Sequence, residues 1–274
     1  MSEPVLNFLT IIIAVILLSI AAYQDIKARM ISDWLWIFMI GSGSMLQILQ
    51  FITMLNSTTG WQEYLFSIFL NIIIALLIGL FLTLSALGGE ADRIAFFAIA
   101  FVTPLQSPLF SIASPEYSYL FSFLPKILGT FFNAYLLAIP VPIGIFFFNF
   151  IQKRRNRANY AYQHNSRWEK IFINFIGYPK TTTDIVKEIQ TNPWHFDFLE
   201  NFIEGEWKIQ IQLQLDTPEA DLERKLKVAE LLESEKKKVV WVQPSLPFIA
   251  FIFIGFILEI FFGNLILSIM SLVL

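Results

Sequence analysis

The chain contains no cysteine and only two histidines in 274 residues. Without a thiol there can be no disulfide framework, no thiolate metal site and no cysteine nucleophile. His164 and His195 both lie in the polar part of the chain and form no H-x-x-x-H pair, so a histidine-built metal centre is not expected. Charge is also scarce. Charged residues make up 15% of the chain and the formal net charge is −3, without the basic excess that a nucleic-acid partner selects. What is plentiful is apolar surface. Hydrophobic residues account for 56% and aromatics for 16%, and the mean hydropathy is +0.62, a composition that reads as an integral membrane protein rather than a soluble domain.

Windows of roughly 20 apolar residues, the length needed to cross about 30 Å of hydrocarbon, mark six spans. They fall near residues 4–23, 34–54, 65–87, 94–112, 127–150 and 246–270. Pro104 and Pro108 make the fourth the least regular. The first apolar run has no basic residue before it and is long enough to span, so it reads as a retained helix rather than a secretory signal peptide. With the N-terminus outside, 18 of the 19 Lys and Arg residues fall on the cytoplasmic side, Lys126 being the exception. The positive-inside rule therefore sets the orientation, with both termini outside, and the run "KRRNR" (153–157) reads as its anchor on the bilayer.

Between spans five and six lies a polar insert of residues 153–243, large enough for a small cytoplasmic domain. "EWKIQIQLQL" alternates strictly, Trp207, Ile209, Ile211, Leu213 and Leu215 against Lys208, Gln210, Gln212 and Gln214, which predicts a half-buried strand. "TPEADLERKLKVAELLESEKKK" predicts a helix with Thr217 as N-cap, Pro218 at the first helical position and an apolar stripe through Leu222, Leu226 and Ala229. "KVVWVQP" predicts a further strand ending before Pro244. The fold class expected is thus an all-α polytopic membrane protein of six transmembrane helices with a small α+β cytoplasmic insert between helices five and six. Its parts are a membrane domain (1–152), the insert (153–243) and a last helix (244–274).

Few acids lie outside the insert, and their positions are informative. Asp25 ends span one on the cytoplasmic side, Asp33 opens span two where an N-cap belongs, and Glu90 and Asp92 stand just before span four on that same side. Ionisable groups at a membrane boundary are costly to desolvate and are functional candidates by default. Two aspartates brought close cannot both ionise easily, so one proton is shared; one carboxylate can then activate water while the other protonates the scissile carbonyl. Read from charge position alone, Asp25 and Asp92 are as well explained by helix capping and loop solvation as by such a dyad.

At these residues the sequence resembles the type IV prepilin peptidase and archaeal preflagellin peptidase family, the GxGD aspartic proteases of the membrane. "YQDIKARMISDWLWI" resembles the first motif of that family, with Asp25 on its catalytic Asp. "LGGEADRIAF" resembles the second, with Asp92 on the catalytic Asp of G-x-G-D and Gly89 on its first glycine. "VWVQPSLPFIAFIFIGFI" is similar to the Pro-rich entry into the last span of archaeal members. This chain carries Ala91 for the second glycine, Glu90 at the variable position and Ser32 for the proline of the first motif.

The resemblance implies an aspartic endopeptidase needing no cofactor and no metal. Its partners would be the lipid bilayer and a prepilin or preflagellin precursor with a short basic leader, cut at the cytoplasmic face. Gly88, Gly89, Glu90 and Ala91 would form the substrate-side loop, where glycine lets an extended peptide approach the backbone. The four-cysteine region of bacterial members is missing and the loop between spans one and two is short, so no methyltransferase activity is expected. The acids Asp197, Glu200, Glu204 and Glu206 could attract a basic leader, though a solvated face is the simpler account. Glu259, inside span six, reads as a packing or snorkelling residue away from the dyad. Two other classes stay open: a presenilin-like intramembrane protease, which would need its aspartates deeper in the bilayer, and a transporter or pilus assembly factor using Asp25 and Asp92 as an ion site, which would show interrupted inverted repeats.

Overall fold

The computed structural model describes residues 3–55, 61–85, 89–102, 125–154, 167–203, 206–209, 218–266 and 268–269. They fall into two compact units, one formed by residues 1–138 with 247–274 and the other by residues 139–246.

The first unit is helical. It contains α1 (Glu3–Ala28), α2 (Asp33–Leu55), α3 (Trp61–Ser85), α4 (Glu90–Val102), α5 (Lys126–Ala138) and α10 (Phe248–Phe262). Among the described residues four stretches are long and apolar enough to cross a bilayer: Pro4–Ala28, Asp33–Leu55, Trp61–Leu84 and Lys126–Gln152, the last running from α5 into α6 of the second unit. α10 is equally apolar but has 15 residues, about 22 Å of helix. The fourth expected span is described only as far as Val102, and its remainder lies outside the described residues. α5 lies against α10, α4 between α2 and α3, and α1 against α2 and α10.

The core these helices share includes Leu18, Met39, Leu82, Phe96, Ile99, Ile127 and Ile252, all at 0% exposure. Large apolar side chains such as Phe66, Phe69 and Leu84 instead point outward, as on a surface solvated by lipid. Polar side chains tie the helix ends opposite Asp25. Tyr64 Oη donates to Gln50 Oε1 (2.6 Å), Gln50 Nε2 to Asn7 Oδ1 (2.5 Å), and Gln47 Nε2 to the Phe101 carbonyl (2.8 Å). That network joins α1, α2, α3 and α4 where lipid could offer no alternative partner.

The second unit holds α6 (Pro140–Arg154), α7 (Arg167–Ile176), β1 (Tyr178–Thr181), α8 (Thr182–Thr191), β2 (Phe196–Phe198), β3 (Glu200–Ile203), β4 (Glu206–Ile209), α9 (Pro218–Ser234) and β5 (Val239–Pro244). β5 is the central strand of an antiparallel sheet ordered β1-β5-β2, while β3 and β4 form a separate hairpin. The core beneath the sheet is built from Ile185, Ile189, Phe196, Val228, Leu232, Val240 and Val242. Of the strand expected from "EWKIQIQLQL", β4 carries Glu206 to Ile209; residues 210–217, including the expected cap Thr217, lie outside the described residues.

α9 begins at Pro218 as expected, but its buried face is displaced from the Leu222–Leu226–Ala229 stripe. Lys225, Val228, Ala229 and Leu232 are buried and Leu226 is 47% exposed. The cause is Lys225, whose Nζ reaches Asp197 (2.9 Å), Asp221 (2.8 Å) and the Pro193 carbonyl (2.9 Å), so a satisfied cation takes the place expected of a leucine. α9 ends in a Schellman arrangement built on a lysine rather than a glycine. Lys236 is left-handed (φ 50°), Lys237 N–H donates to the Leu232 carbonyl and Lys236 N–H to that of Glu233.

α5 and α10 approach closely, so that a Cβ added to Gly255 would lie 2.7 Å from Ala134 N and 2.9 Å from the Thr130 carbonyl. These are backbone atoms and cannot turn aside. Gly255→Ala is therefore expected to destabilise the first unit by about 1–3 kcal/mol. Gly41→Ala, with nothing within 4 Å of its new methyl, should be neutral or slightly stabilising. Melting temperatures of the two variants in one detergent decide the matter, and equal melting temperatures would contradict the close approach.

Candidate active site

Asp25 stands one turn before the end of α1 and is buried. The helix stops because Arg29 adopts a left-handed conformation (φ 56°), which aims its N–H back at the Asp25 carbonyl (3.1 Å) in an αL cap. A non-glycine residue held there stores strain, a feature that clusters at functional sites. The Arg29 guanidinium also faces the Asp25 carboxylate at 3.8 Å (Nη1 to Oδ1). The other oxygen, Oδ2, accepts from Ile249 N–H at 3.0 Å. Ile249 is in the first turn of α10, whose leading N–H groups have no partner within the helix and carry the positive end of its dipole. The Pro-rich entry noted in the sequence is what presents that turn to Asp25.

Asp92 lies in the first turn of α4, also buried, and its Oδ2 accepts from Gly89 N–H at 2.8 Å. This is half of a capping box, with the third-position acid reaching back to the cap residue. The neighbouring acid, Glu90, is exposed, and Ala91 is partly buried. Gly88 lies outside the described residues. Gly89 needs no special backbone conformation here, and a Cβ on it would make only ordinary contact, 3.6 Å, with Asp92 Oδ2. Arg93 turns away from Asp92 and donates from Nη1 to Thr83 Oγ1 (2.9 Å).

α1 and α4 touch, with Asp25 in the last turns of one and Asp92 in the first turn of the other, both buried. Each has one oxygen engaged by a backbone N–H from a helix start, while Oδ1 of each lies outside those bonds. In general, two carboxylates held close together can share one proton. Such a pair can accept a proton at one carboxylate while donating at the other.

The other acids have structural work. Glu259 is buried in α10 with its carboxylate 3.8 Å from Lys126 Nζ and packed against Gly129. It lies ten residues, about 15 Å, along the helix from Ile249. Lys126, the one cation that breaks the positive-inside count, is thus half of a buried ion pair. In the second unit Glu200 is 1% exposed and holds both Lys237 Nζ and Trp241 N–H, while Asp197 holds Lys225. Glu206 is exposed, and Glu204 lies outside the described residues.

Residues 169–265, from α7 to just beyond α10, match the family model described as Archaeal Peptidase A24 C-terminus Type II. Three preflagellin peptidases are similar to the chain. That of Methanocaldococcus jannaschii is 25% identical over 262 residues, covering 94% of this chain and 95% of the relative. That of Methanococcus voltae is 33% identical over 133 residues, 48% of this chain and 54% of the relative. That of Methanococcus maripaludis is 27% identical over 171 residues, 60% and 68% respectively. The chain thus matches about half the length of the M. voltae protein. Taken together, the match to the archaeal A24 model and the nearly end-to-end similarity support the preflagellin peptidase family for this chain.

One polar group near the carboxylates escaped the sequence reading. Tyr135, on α5, packs its ring on Phe248 (4.9 Å between centroids) and on Phe131 (4.6 Å), and lies within the field of Asp92. Among the described residues its buried hydroxyl has no hydrogen-bond partner. The signal was a phenol inside a span otherwise rich in Phe and Leu, "FFNAYLLA". A buried donor with no partner costs about 1–3 kcal/mol. Tyr135→Phe is therefore expected to leave the melting temperature of the substrate-free protein unchanged or raised. A clear fall would mean that the hydroxyl makes a bond in the folded protein.

Proposed function

We propose that this protein is an aspartic endopeptidase of the cell membrane that removes the short basic leader from preflagellin or prepilin precursors, with Asp25 and Asp92 as its catalytic pair. The observation that carries the reading is the pair itself: two buried carboxylates, 67 positions apart in sequence, at the ends of adjoining helices. The names of the similar proteins supply the substrate class. In this mechanism the ionised carboxylate takes a proton from water as the water oxygen attacks the scissile carbonyl carbon. The protonated carboxyl meanwhile gives its proton to the carbonyl oxygen. Collapse of the resulting diol breaks the C–N bond as the proton gained from water passes to the leaving nitrogen and a diol hydroxyl returns its proton to the other carboxylate, restoring the singly protonated pair. Neither a metal nor a covalent intermediate enters.

With this reading go six spans, an N-terminus and C-terminus outside, and divisions at 152/153 and 243/244. It also takes residues 153–243 as cytoplasmic, so that Asp25 and Asp92 meet a leader at the inner face. Glu90, exposed beside Asp92, would face the substrate without sharing the proton.

Cleavage of a leader-bearing preflagellin in detergent or membranes tests the assignment. Asp25→Asn and Asp92→Asn should each lower the rate by about 10²–10⁴-fold, the range for loss of one acid–base group. Glu90→Gln should keep cleavage. If both Asn variants still cut, the mechanism is wrong, and a wild type inert on every such leader would remove the peptidase reading.

A further inference from the structure

We propose that α7 is a membrane-interface helix, lying along the bilayer surface with Trp168, Ile171 and Phe172 inserted among lipid. The helix has ten residues, and four of its apolar ones, Trp168, Ile171, Phe172 and Phe175, repeat at the i, i+3, i+4, i+7 spacing that puts them on one face. Three of the four are solvent-facing within the second unit: Trp168 at 81%, Ile171 at 49% and Phe172 at 52% exposure. The unit's own need for apolar surface from α7 is met from elsewhere on the helix. Ile173 is fully buried with Leu199, Ile209 and Trp241, and Ile176 packs against the same cluster. Trp168, Ile171 and Phe172 therefore lie outside the apolar cluster that this helix helps to build.

What covers the stripe follows from where α7 is fastened. Phe175, the fourth member, stacks flat on Phe146 of α6 (4.6 Å, 15°). Asn149 of α6 donates from Nδ2 to the Asn174 carbonyl (2.9 Å) and to the Gly177 carbonyl (2.6 Å), binding the end of α7 through carbonyls that the helix leaves unpaired. α6 is the second half of the apolar stretch Lys126–Gln152, and its Phe147, Phe148, Phe150 and Ile151 are themselves exposed. The stripe of α7 is thus continuous with the lipid-facing surface of a spanning segment.

Depth and charge agree with that partner. Phe146 is seven residues before Lys153, about 10 Å along the helix, and an interfacial helix sinks its apolar face about 5–10 Å into the headgroup and acyl boundary. The chain between α6 and α7 carries Arg155 and Arg157, and α7 itself adds Arg167 and Lys170, cations suited to anionic headgroups. Tryptophan favours this boundary, where its ring is buried and its N–H stays wet.

The absence of cysteine makes a direct test available. In the full-length protein, single variants Trp168→Cys, Phe172→Cys and Glu169→Cys would carry a nitroxide label in vesicles of mixed zwitterionic and anionic phospholipid. Labels at 168 and 172 are expected to collide more with oxygen than with a water-soluble nickel chelate, and the label at 169 the reverse. Unlabelled protein supplies a second reading, since brominated lipids should quench wild-type tryptophan fluorescence more than that of Trp168→Phe. If the nickel reagent reaches 168 and 172 as freely as 169, the stripe faces water and the proposal fails. If neither collider reaches them, protein covers the stripe and the proposal fails equally.

Discussion

The hydrogen bond from Ile249 N–H to Asp25 Oδ2 joins residues 224 positions apart, and much of the first unit is arranged around it. It brings the end of α1 to the start of α10. Burial of a carboxylate without such a donor would be costly enough to drive the chain toward another arrangement. The donor is available because the first N–H groups of any helix are unpaired, and Pro247 immediately precedes this one. Asp92 repeats the solution on a local scale by accepting from Gly89 at the start of its own helix. Both carboxylates are thus oriented by backbone, which has no rotamers to lose, and each leaves one oxygen outside that bond.

The same accounting governs the rest of the unit. Asn133 Nδ2 donates to the Gly263 carbonyl (3.0 Å) while its Oδ1 accepts from Leu265 N–H (2.9 Å), closing α10 at its far end. Gly255 lets α5 approach within backbone contact midway, so α10 is fixed at its start by Asp25, at its middle by packing and at its end by an asparagine. A helix held at three points keeps the Ile249 N–H in place. Lipid exchanging around the outside has no polar group with which to compete for these bonds.

The helix ends were legible in the sequence because their signals are local: Pro218 at the start of α9, a buried strand over Val239–Pro244, acids at the first turn of α4. The candidate residues were read from acids expected on one membrane side and from two motifs that resemble the peptidase family. Their donors were not legible, since nothing near Asp25 in sequence points to Ile249. The reading also failed where a polar side chain was satisfied at long range. Lys225 lies outside the stripe read from the sequence and is buried, because Asp197 and the Pro193 carbonyl from other segments, with Asp221 of its own helix, surround its amine. Lys126 stood as the one exception to the positive-inside count and is an ion-pair partner of Glu259. In each case hydropathy assigned the residue to the surface, and a partner more than 20 residues away brought it inside.

That displacement bears on how a basic leader would be met. Counted by sequence, Asp197, Glu200, Glu204 and Glu206 form an acidic cluster. By contacts, Glu200 neutralises Lys237 and caps the Trp241 N–H, and Asp197 is committed to Lys225. A carboxylate already paired with a buried amine projects little field beyond it, and screening removes most of the remainder within about 8–10 Å. Attraction of a basic leader would then rest on acids that are exposed, Glu206 on β4 and Glu90 beside Asp92. Of these, Glu90 is the one adjoining the proposed catalytic pair. On the proposed mechanism, its exposure and the burial of Asp92 two residues later would divide the labour within one helical turn, the outer acid meeting charge and the inner acid moving protons.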